Sequence, residues 1–210
     1  MNTATSSIGW YDANAEDFAD ASFGPGMADD HARFLAHVPS AGVVLDAGCG
    51  AGRDVLAFRR AGRQVVAYDG SAGLARLASR NTGLDVLHMT HADITWEAEF
   101  DGVWACASLL HLPRADLPAA FGRIARALKA GGVFYASFKE GTFREGPFRE
   151  GTDQRFANGR WFTDLTQPIL RDLLVGAGLA VIECRRSADN RVGREGEWWV
   201  AALAQKPAAA

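Results

Sequence analysis

The sequence predicts an α/β fold in which helices cover both faces of a mostly parallel β-sheet. Three observations support this. Short apolar runs alternate along the 210-residue chain with segments of helical periodicity. Residues 43–54 place a strand, a glycine loop and a helix start in immediate succession. The last two strand candidates have no helix between them, so the last strand is expected to run antiparallel.

The individual elements follow from the apolar pattern and the residues that bound it. Strands are predicted at 43–46, 64–68, 85–89, 102–107, 133–138, 179–184 and 198–203. Helices are predicted at 27–38, 52–61 and 117–128, and after caps at Ser71 and Thr166. Residues 1–9 are expected to be frayed, residues 139–160 to form a mobile polar loop, and the tail after residue 205 to be disordered.

The most informative segment reads VVLDAGCGAGRD, in which Asp46 precedes three alternating glycines, Gly48, Gly50 and Gly52. Such a loop lets a ligand lie against bare backbone, with amide N–H groups directed at it. A dinucleotide fingerprint would need a glycine where Arg53 stands, and a carboxylate at Asp46 would repel a pyrophosphate. An acid at this position suits a ligand with an ammonium group. A plain turn is disfavoured because three glycines cost conformational entropy.

An acid followed by alternating glycines resembles motif I of the class I S-adenosylmethionine-dependent methyltransferases. The resemblance covers about residues 40–204. It implies a three-layer, doubly wound, mostly parallel sheet of seven strands with an antiparallel last strand. It also implies S-adenosyl-L-methionine as cofactor and S-adenosyl-L-homocysteine as product. The expected division is an N-terminal arm with helices that cap the site (1–39), a cofactor-binding domain with a loop insertion (40–205), and a disordered tail (206–210).

The resemblance assigns cofactor contacts to residues at successive strand ends. Asp69 lies about twenty residues beyond the glycines, where an acid takes both ribose hydroxyls. Asp93 is expected to accept from the adenine amino group, with Ile94 covering the ring. The predicted cofactor contacts are Asp46, Gly48, Cys49, Gly50, Gly52, Arg53, Asp69, Gly70, Ser71, Ala92, Asp93, Ile94, Ala107, Ser108 and Tyr11.

Several of these assignments leave two interpretations open. Arg53 either pairs with the cofactor carboxylate or is a solvated first-turn arginine. Tyr11, with Trp10, either closes over the site or packs on the core. His111 follows the fourth strand and is a candidate general base, since its ordinary pKa is about 6.5. A packed or cofactor-contacting histidine is the alternative.

The acceptor is less well defined by the sequence. Lys139 and Arg160 are the predicted substrate-binding residues, within a mixed set of basic and acidic residues that could hold a small anion. The formal net charge of −3 and the lack of an unbalanced basic face argue against a nucleic-acid partner. No histidine, cysteine and acid spacing fits a compact zinc signature, so no metal is predicted. A membrane partner is also not expected, and the oligomeric state is left open.

These observations favour a methyltransferase that acts on an oxygen, nitrogen or sulfur atom of a small molecule by in-line transfer. The alternatives are a non-catalytic protein that binds the cofactor as a regulatory signal, and a detoxifying methyltransferase of the tellurite, thiol or halide type. A nicotinamide-dependent oxidoreductase is disfavoured by Asp46 and Arg53. The N-terminus has no signal-peptide pattern, so a cytoplasmic location is expected.

Overall fold

The computed structural model describes residues 3–23, 27–141, 154–189, 191 and 193–208. The helices are α1 Thr3–Ala13, α2 Ala15–Ser22, α3 Ala28–Leu35, α4 Arg53–Arg60, α5 Ala72–Thr82, α6 Leu117–Ala127 and α7 Gln167–Gly176. The strands are β1 Val43–Ala47, β2 Gln64–Asp69, β3 Leu87–His88, β4 Phe100–Ala105, β5 Leu128–Lys139, β6 Gln154–Ala157, β7 Arg160–Thr163, β8 Ala180–Ala188 and β9 Trp198–Gln205. Short 3-10 turns cover His91–Asp93, Leu109–His111 and Arg114–Asp116.

Seven strands form one sheet in the order β3-β2-β1-β4-β5-β9-β8. Strands β1 to β5 pair in parallel, and the last strand, β9, lies antiparallel between β5 and β8. This confirms the predicted doubly wound sheet with a reversed last strand. Because the strand order reverses between β1 and β4, a crevice is expected beyond their carboxyl ends, and the site with it.

Both faces of the sheet are buried under helices. On β5, Phe134, Ala136 and Phe138 belong to the core that α6 and α7 cover. The alternate residues Val133 and Tyr135 belong to a second core with α3 and α4. Strands buried on both faces read as continuous apolar runs, which explains why these strands were recognisable from the sequence.

The second core is built around Trp104 of β4, which is fully buried. Its ring stacks on Tyr135 with centroids 3.8 Å apart, and Phe34 of α3 contacts its edge. Gly102, two residues earlier on the same face of β4, has no side chain, and this lets α3 approach. A Cβ added there would lie 2.6 Å from Cζ of Phe34 and 2.9 Å from Cγ2 of Val38.

Three local predictions need correction. Helix α1 begins at Thr3, where frayed chain was expected, because its residues contact β7 and the loop after β2. The predicted loop 139–160 is wrong over residues 154–160, which form the β6–β7 hairpin together with residues 161–163. The turn residues Asn158 and Gly159 have φ of 51° and 76°. Residues 142–153 lie outside the described residues. Lys206, expected to be disordered, exchanges backbone hydrogen bonds with Gly131 and Gly132.

The predicted division into arm, cofactor-binding domain and tail stays a prediction. Among the described residues, no helix is long and apolar enough to cross a membrane.

Substitution of Gly102 tests the close packing of α3 on β4. Gly102→Ala should lower the free energy of unfolding by about 1–3 kcal/mol, since the added methyl group overlaps the Phe34 ring. Urea denaturation measures this. The control is Gly122→Ala in α6, where a Cβ meets nothing within 4 Å. It should stabilise the protein by about 0.5–1 kcal/mol, and equal effects of the two substitutions would contradict the packing argument.

Candidate functional site

The glycine loop between β1 and α4 has a left-handed backbone at each of its three alternating glycines. The φ angles are 82° at Gly48, 57° at Gly50 and 93° at Gly52. A Cβ at Gly48 would lie 2.5 Å from Cβ of Ser108, and one at Gly52 would lie 2.6 Å from Cγ2 of Thr82. Packing and backbone conformation therefore both demand glycine at these two positions, whereas Gly50 is required by its φ angle alone.

The amide groups of this loop are already paired within the protein. The N–H groups of Gly48 and Cys49 both donate to the carbonyl of Tyr68, each at 2.9 Å. The N–H of Gly50 donates to Oδ2 of Asp69 at 2.8 Å. The expectation that these amides point at a ligand is therefore wrong. The loop offers close approach to backbone, and the N–H groups of Gly48, Cys49 and Gly50 are not free for a pyrophosphate.

Asp46 lies at the carboxyl end of β1 and is buried, with 1% of its surface exposed. Its Oδ2 has no hydrogen-bond partner among the described residues. Burial, together with the nearby carboxylate of Asp54, raises the pKa of Asp46 well above its ordinary value. A buried acceptor without a partner needs an explanation, and an ammonium group at the mouth of the loop would provide its missing donor. The residue thus fits a cofactor that carries an amino group.

Asp69 ends β2 and holds two segments of backbone at once. Its Oδ2 accepts from Gly50, and its Oδ1 accepts from the N–H of Ser71 at 2.8 Å. Burial raises the pKa of Asp69 to about 6, although these two N–H donors act in the opposite direction. Each oxygen keeps a further lone pair, so the carboxylate can still accept from two hydroxyl groups.

Ser71 caps helix α5, as the sequence predicted, because its Oγ accepts from the N–H of Leu74 at 3.1 Å. Asp12 of α1 reaches the same place. It accepts from Oγ of Ser71 at 2.6 Å and from the N–H of Gly73 at 3.0 Å. A carboxylate at the start of a helix is favourably placed, so these bonds hold α1 against α5.

Helices α1 and α2 form a roof over the strand ends. Ile8 lies beside Gly70, where a Cβ would meet its Cδ1 at 3.3 Å. Phe18 covers Gly50, where a Cβ would meet its Cε1 at 3.6 Å. The ring of Tyr11 packs edge-on against Phe18 with centroids 4.9 Å apart. Tyr11 and Phe18 also pack on the small core between α2 and α5, so contact of Tyr11 with the cofactor stays a prediction.

Tyr11 and His111 form the centre of a hydrogen-bonded chain. Nδ1 of His111 lies 2.7 Å from the carbonyl of Trp161, and Nε2 lies 2.9 Å from the hydroxyl of Tyr11. Because a carbonyl only accepts, Nδ1 carries the proton and Nε2 accepts from Tyr11. Arg160 in turn donates from Nη1 to the Tyr11 oxygen at 3.1 Å.

Both central groups of this chain are neutral at neutral pH. Burial lowers the pKa of His111 to about 4. Burial also raises the pKa of Tyr11 above its ordinary value, although the charge of Arg160 opposes the shift. His111 therefore presents an unprotonated Nε2 to the roof, and this nitrogen accepts a hydrogen bond from the Tyr11 hydroxyl. That geometry is compatible with a general base, which stays a prediction for this residue.

Ala107 and Ser108 follow β4 and place small side chains beneath the roof. Ala107 has φ of 51°, which is uncommon for a residue with a Cβ, and its N–H donates to Oγ of Ser137 at 2.9 Å. Oγ of Ser108 donates to the carbonyl of Ala47 at 2.6 Å. The chain after β4 is thus fastened to β1 and β5, which fixes the floor of the crevice.

The segment after β3 contributes an apolar wall. Ile94 has 1% of its surface exposed, and Ala92 is exposed. Asp93 is also exposed, and its Oδ2 accepts from the N–H and the hydroxyl of Thr90 at 2.8 and 2.7 Å. This capping role lowers the pKa of Asp93. Contact with an adenine amino group stays a prediction, which Oδ1 would have to serve.

Arg53 takes a role that neither interpretation of the sequence included. Its Nε and Nη2 donate to the two oxygens of Asp54, each at 2.8 Å. Asp54 is buried and also accepts from Nε1 of Trp104 at 2.9 Å and contacts Nε2 of His31 at 3.0 Å. Arg53 is therefore part of a network that joins α3, α4 and β4, and its pairing with a cofactor carboxylate stays a prediction.

Lys139 is likewise not available to a substrate in this structure. Its ammonium group pairs with Asp189 and Glu197, and it lies 4.4 Å from the ring centre of Trp199. The side chain is buried among these partners. Of the two predicted substrate-binding residues, only Arg160 lies with Tyr11 and His111.

Three neighbours of the site were missed by sequence reasoning. His91 lies below Gly48, with Nδ1 2.7 Å from the hydroxyl of Tyr68, and burial lowers its pKa to about 4. Trp161 and Phe162 directly follow the segment that was interpreted as a polar loop, and the sequence assigned them no role. The only available signal was the run Arg160-Trp161-Phe162-Thr163, which alternates as a strand would. Within the described part of the chain, no group of three or more histidine, cysteine or acidic residues is arranged to hold a metal ion.

Comparison with known proteins agrees with this geometry. Residues 44–132 match the family model of a methyltransferase domain. A 1,6-didemethyltoxoflavin-N1-methyltransferase from Burkholderia thailandensis, solved with 1,6-didemethyltoxoflavin and S-adenosylhomocysteine, is 26% identical with a TM-score of 0.75, over 95% of this chain and 87% of its own. Magnesium protoporphyrin IX methyltransferase from Synechocystis, solved with its cofactor, is 16% identical with a TM-score of 0.73, over 98% of both chains. No curated protein matches the chain.

The hydrogen-bonded chain predicts the protonation state of His111. In nitrogen NMR of histidine-labelled protein, His111 should keep Nδ1 protonated and Nε2 unprotonated from about pH 8 down to about pH 5, because its pKa lies at about 4. Tyr11→Phe should shift the Nε2 resonance, since this nitrogen then loses its donor. A titration midpoint of about 6.5 in the wild type would show that His111 is solvated and that the chain does not form.

Proposed function

We propose that this chain, which belongs to the class I S-adenosylmethionine-dependent methyltransferases, methylates a nitrogen, oxygen or sulfur atom of a small-molecule acceptor. The observation that carries the proposal is the convergence of three features in one roofed crevice. These are the unpartnered carboxylate of Asp46, the acid Asp69 at the end of β2, and the neutral Tyr11–His111 pair.

The cofactor, S-adenosyl-L-methionine, supplies a methyl group on a sulfonium, and its transfer to an acceptor lone pair leaves neutral S-adenosyl-L-homocysteine. Asp46 is proposed to take the cofactor ammonium group, and Asp69 the ribose hydroxyls. Ile94, which is buried in the core, is proposed to contact the adenine ring from beneath. Gly50 is proposed to allow the cofactor to approach the loop backbone closely.

On the acceptor side, the Tyr11–His111 pair is proposed to receive the proton that an N–H or O–H acceptor loses. The Tyr11 hydroxyl donates to Nε2 of His111, so it can pass its own proton to His111 while it accepts one from the acceptor. Nδ1–H of His111 keeps its hydrogen bond to the Trp161 carbonyl, and this bond holds the imidazole ring in place. Alignment within a closed crevice, together with this proton transfer, accounts for catalysis without a covalent intermediate.

Several observations support a small acceptor. Helix α1 and the β6–β7 hairpin cover the crevice, because Oγ of Ser7 accepts from the N–H of Trp161 at 2.9 Å. The formal net charge of −3 offers no general attraction for nucleic acid. The Burkholderia relative is a methyltransferase for a small heterocycle by its name. Absence of a nucleic-acid partner, a cytoplasmic location and a detoxifying role all stay predictions.

The direct test is to incubate the protein with cofactor labelled on its methyl group and with fractions of a cell extract. We expect label in one small-molecule product, and S-adenosyl-L-homocysteine formed in equal amount. Label in the nucleic-acid or protein fraction, or none in any fraction, would contradict the proposal.

Asp69→Ala should weaken the binding of S-adenosyl-L-homocysteine by about 1–3 kcal/mol, through the loss of charge-assisted hydrogen bonds to ribose. Titration calorimetry measures the change. Asp85→Ala is the matched control, since this aspartate is exposed at the approach to β3 and should leave the affinity unchanged.

The pH dependence of S-adenosyl-L-homocysteine binding separates the effect of Asp69 ionisation from the effect of the shape of its side chain. Because the pKa of Asp69 is raised to about 6, the free protein holds this carboxyl protonated below that pH and ionised above it. Affinity should therefore fall as the pH drops below about 6, and Asp69→Asn should remove this component of the dependence. An identical slope in wild type and Asp69→Asn would exclude Asp69 as the ribose partner.

His111→Gln tests the proton acceptor once the extract experiment has identified the methylated compound. Turnover should fall by about a hundredfold if the acceptor must lose a proton, while affinity for S-adenosyl-L-homocysteine stays unchanged. Initial rates under saturating cofactor give the first quantity, and calorimetry gives the second. A loss confined to cofactor affinity would reassign His111 as a cofactor contact.

A further inference from the structure

A cation without a carboxylate partner lies beside the proposed proton acceptor. Arg160 of β7 donates from Nη1 to the Tyr11 hydroxyl, and its Nε is buried with no hydrogen-bond partner among the described residues. The guanidinium carbon lies over the rings of Trp10 at 4.2 Å, Phe162 at 5.3 Å and Tyr11 at 5.4 Å from their centres.

Several other arginines of the described chain differ from Arg160 in having a carboxylate, whereas Arg63, whose Nε is also buried without a partner, donates to backbone carbonyls. The pairs are Arg53 with Asp54, Arg155 with Asp164, Arg185 with Asp30 and Arg191 with Asp189. No described carboxylate lies within ion-pair distance of Arg160. A partly desolvated cation without a counter-charge is unfavourable, so a bound anion that replaced the lost solvation would be favoured at this position.

The groups around Arg160 do not cancel its charge. His111 and Tyr11 are neutral at neutral pH, as their shifted pKa values show. The acid Asp69 at the end of β2 is held by the backbone of Gly50 and Ser71. The acceptor end of the crevice is therefore positive, while the cofactor end contains the acids Asp46 and Asp69.

The rings beside Arg160 define the shape of what can bind. Gly159, in the hairpin turn, packs so closely on Trp10 that an added Cβ would lie 2.2 Å from its Cδ1. Trp10 is thus held rigidly against the hairpin. Flat aromatic faces next to a guanidinium suit a planar, delocalised anion, which stacks and accepts at once. A small hydrated anion would lose its water without gaining the stacking.

We infer that the methyl acceptor is a planar acid that becomes an anion in the crevice, with its charge on Arg160 and its ring among Trp10, Tyr11 and Phe162, so that the proton it loses is the one that the Tyr11–His111 pair receives. Phenolates, enolates and deprotonated ring nitrogens have this chemistry. The inference deepens the proposed function and rests on it, because only a methyltransferase has a methyl acceptor. The anion-binding site itself does not depend on that function. It is argued from the contacts of Arg160, which donates to the Tyr11 hydroxyl, which in turn donates to Nε2 of His111.

The test uses para-nitrophenol, whose anion absorbs at a longer wavelength than its acid, with protein saturated by S-adenosyl-L-homocysteine. Bound probe should ionise at a pH about one unit lower than free probe. Para-nitroanisole, which has the same ring and no acidic proton, should bind about tenfold or more weakly than the anion.

Substitutions assign the effect to Arg160. Arg160→Gln should abolish the shift in probe ionisation and weaken probe binding about tenfold, whereas Arg160→Lys should keep part of the shift because it keeps the charge. Arg186→Gln is the matched control, since Arg186 also stacks on a tryptophan, Trp198 at 3.8 Å, but is paired with Glu140. Unchanged affinity for S-adenosyl-L-homocysteine verifies that each variant is folded.

Three outcomes would overturn the inference. They are equal binding of nitrophenol and nitroanisole, no effect of Arg160→Gln on the probe, and identification of a neutral acceptor in the labelled extract. The last outcome would leave the methyltransferase proposal standing. Conversely, an absence of any methyl transfer would contradict the proposed function while the probe experiment still reported the anion site.

Discussion

The carboxylate of Asp69 is the contact on which the geometry of the site depends. It accepts from Gly50 in the loop after β1 and from Ser71 at the start of α5, so it joins two of the loops that line the crevice. The same loop also donates twice to the Tyr68 carbonyl. A left-handed glycine loop is therefore rigid here, and its bends are held by hydrogen bonds within the protein.

The roof depends on contacts between distant parts of the chain. Asp12 holds α1 to the start of α5, and Ser7 exchanges hydrogen bonds with the backbone of Trp161. Tyr11 lies between these two attachments and reaches His111. Because α1 touches both the cofactor side and the acceptor side, its position decides the access to each of them.

The crevice has opposite charges at its two ends. Asp46 and Asp69 lie at the end proposed for a cofactor with an ammonium group and two hydroxyls. Arg160 lies at the other end, among aromatic rings. Between them, His111 and Tyr11 are neutral, so Arg160 has no second cation beside it until His111 takes up a proton. The two ends thus select chemically different partners.

The fold class, the reversed last strand and the two acids at the ends of β1 and β2 were predictable from the sequence. They depend on local periodicity, glycine spacing and the order of elements, all of which can be recognised from residues close together in the sequence. The partners of Arg53, Lys139 and the loop amides were not predictable. The sequence offers several acids for each cation and several acceptors for each amide, and only the fold selects among them.

The roof and the anion site were decided by tertiary structure alone. Ser7 and Trp161 are 154 residues apart, and Tyr11 and Arg160 are 149 apart, so no local pattern links them. The sequence by itself determined an α/β sheet with a glycine loop and acids for a particular class of cofactor. Only the packing of α1 on the β6–β7 hairpin brought Tyr11, His111 and Arg160 together, because each of them gains its partner solely when the distant segments dock.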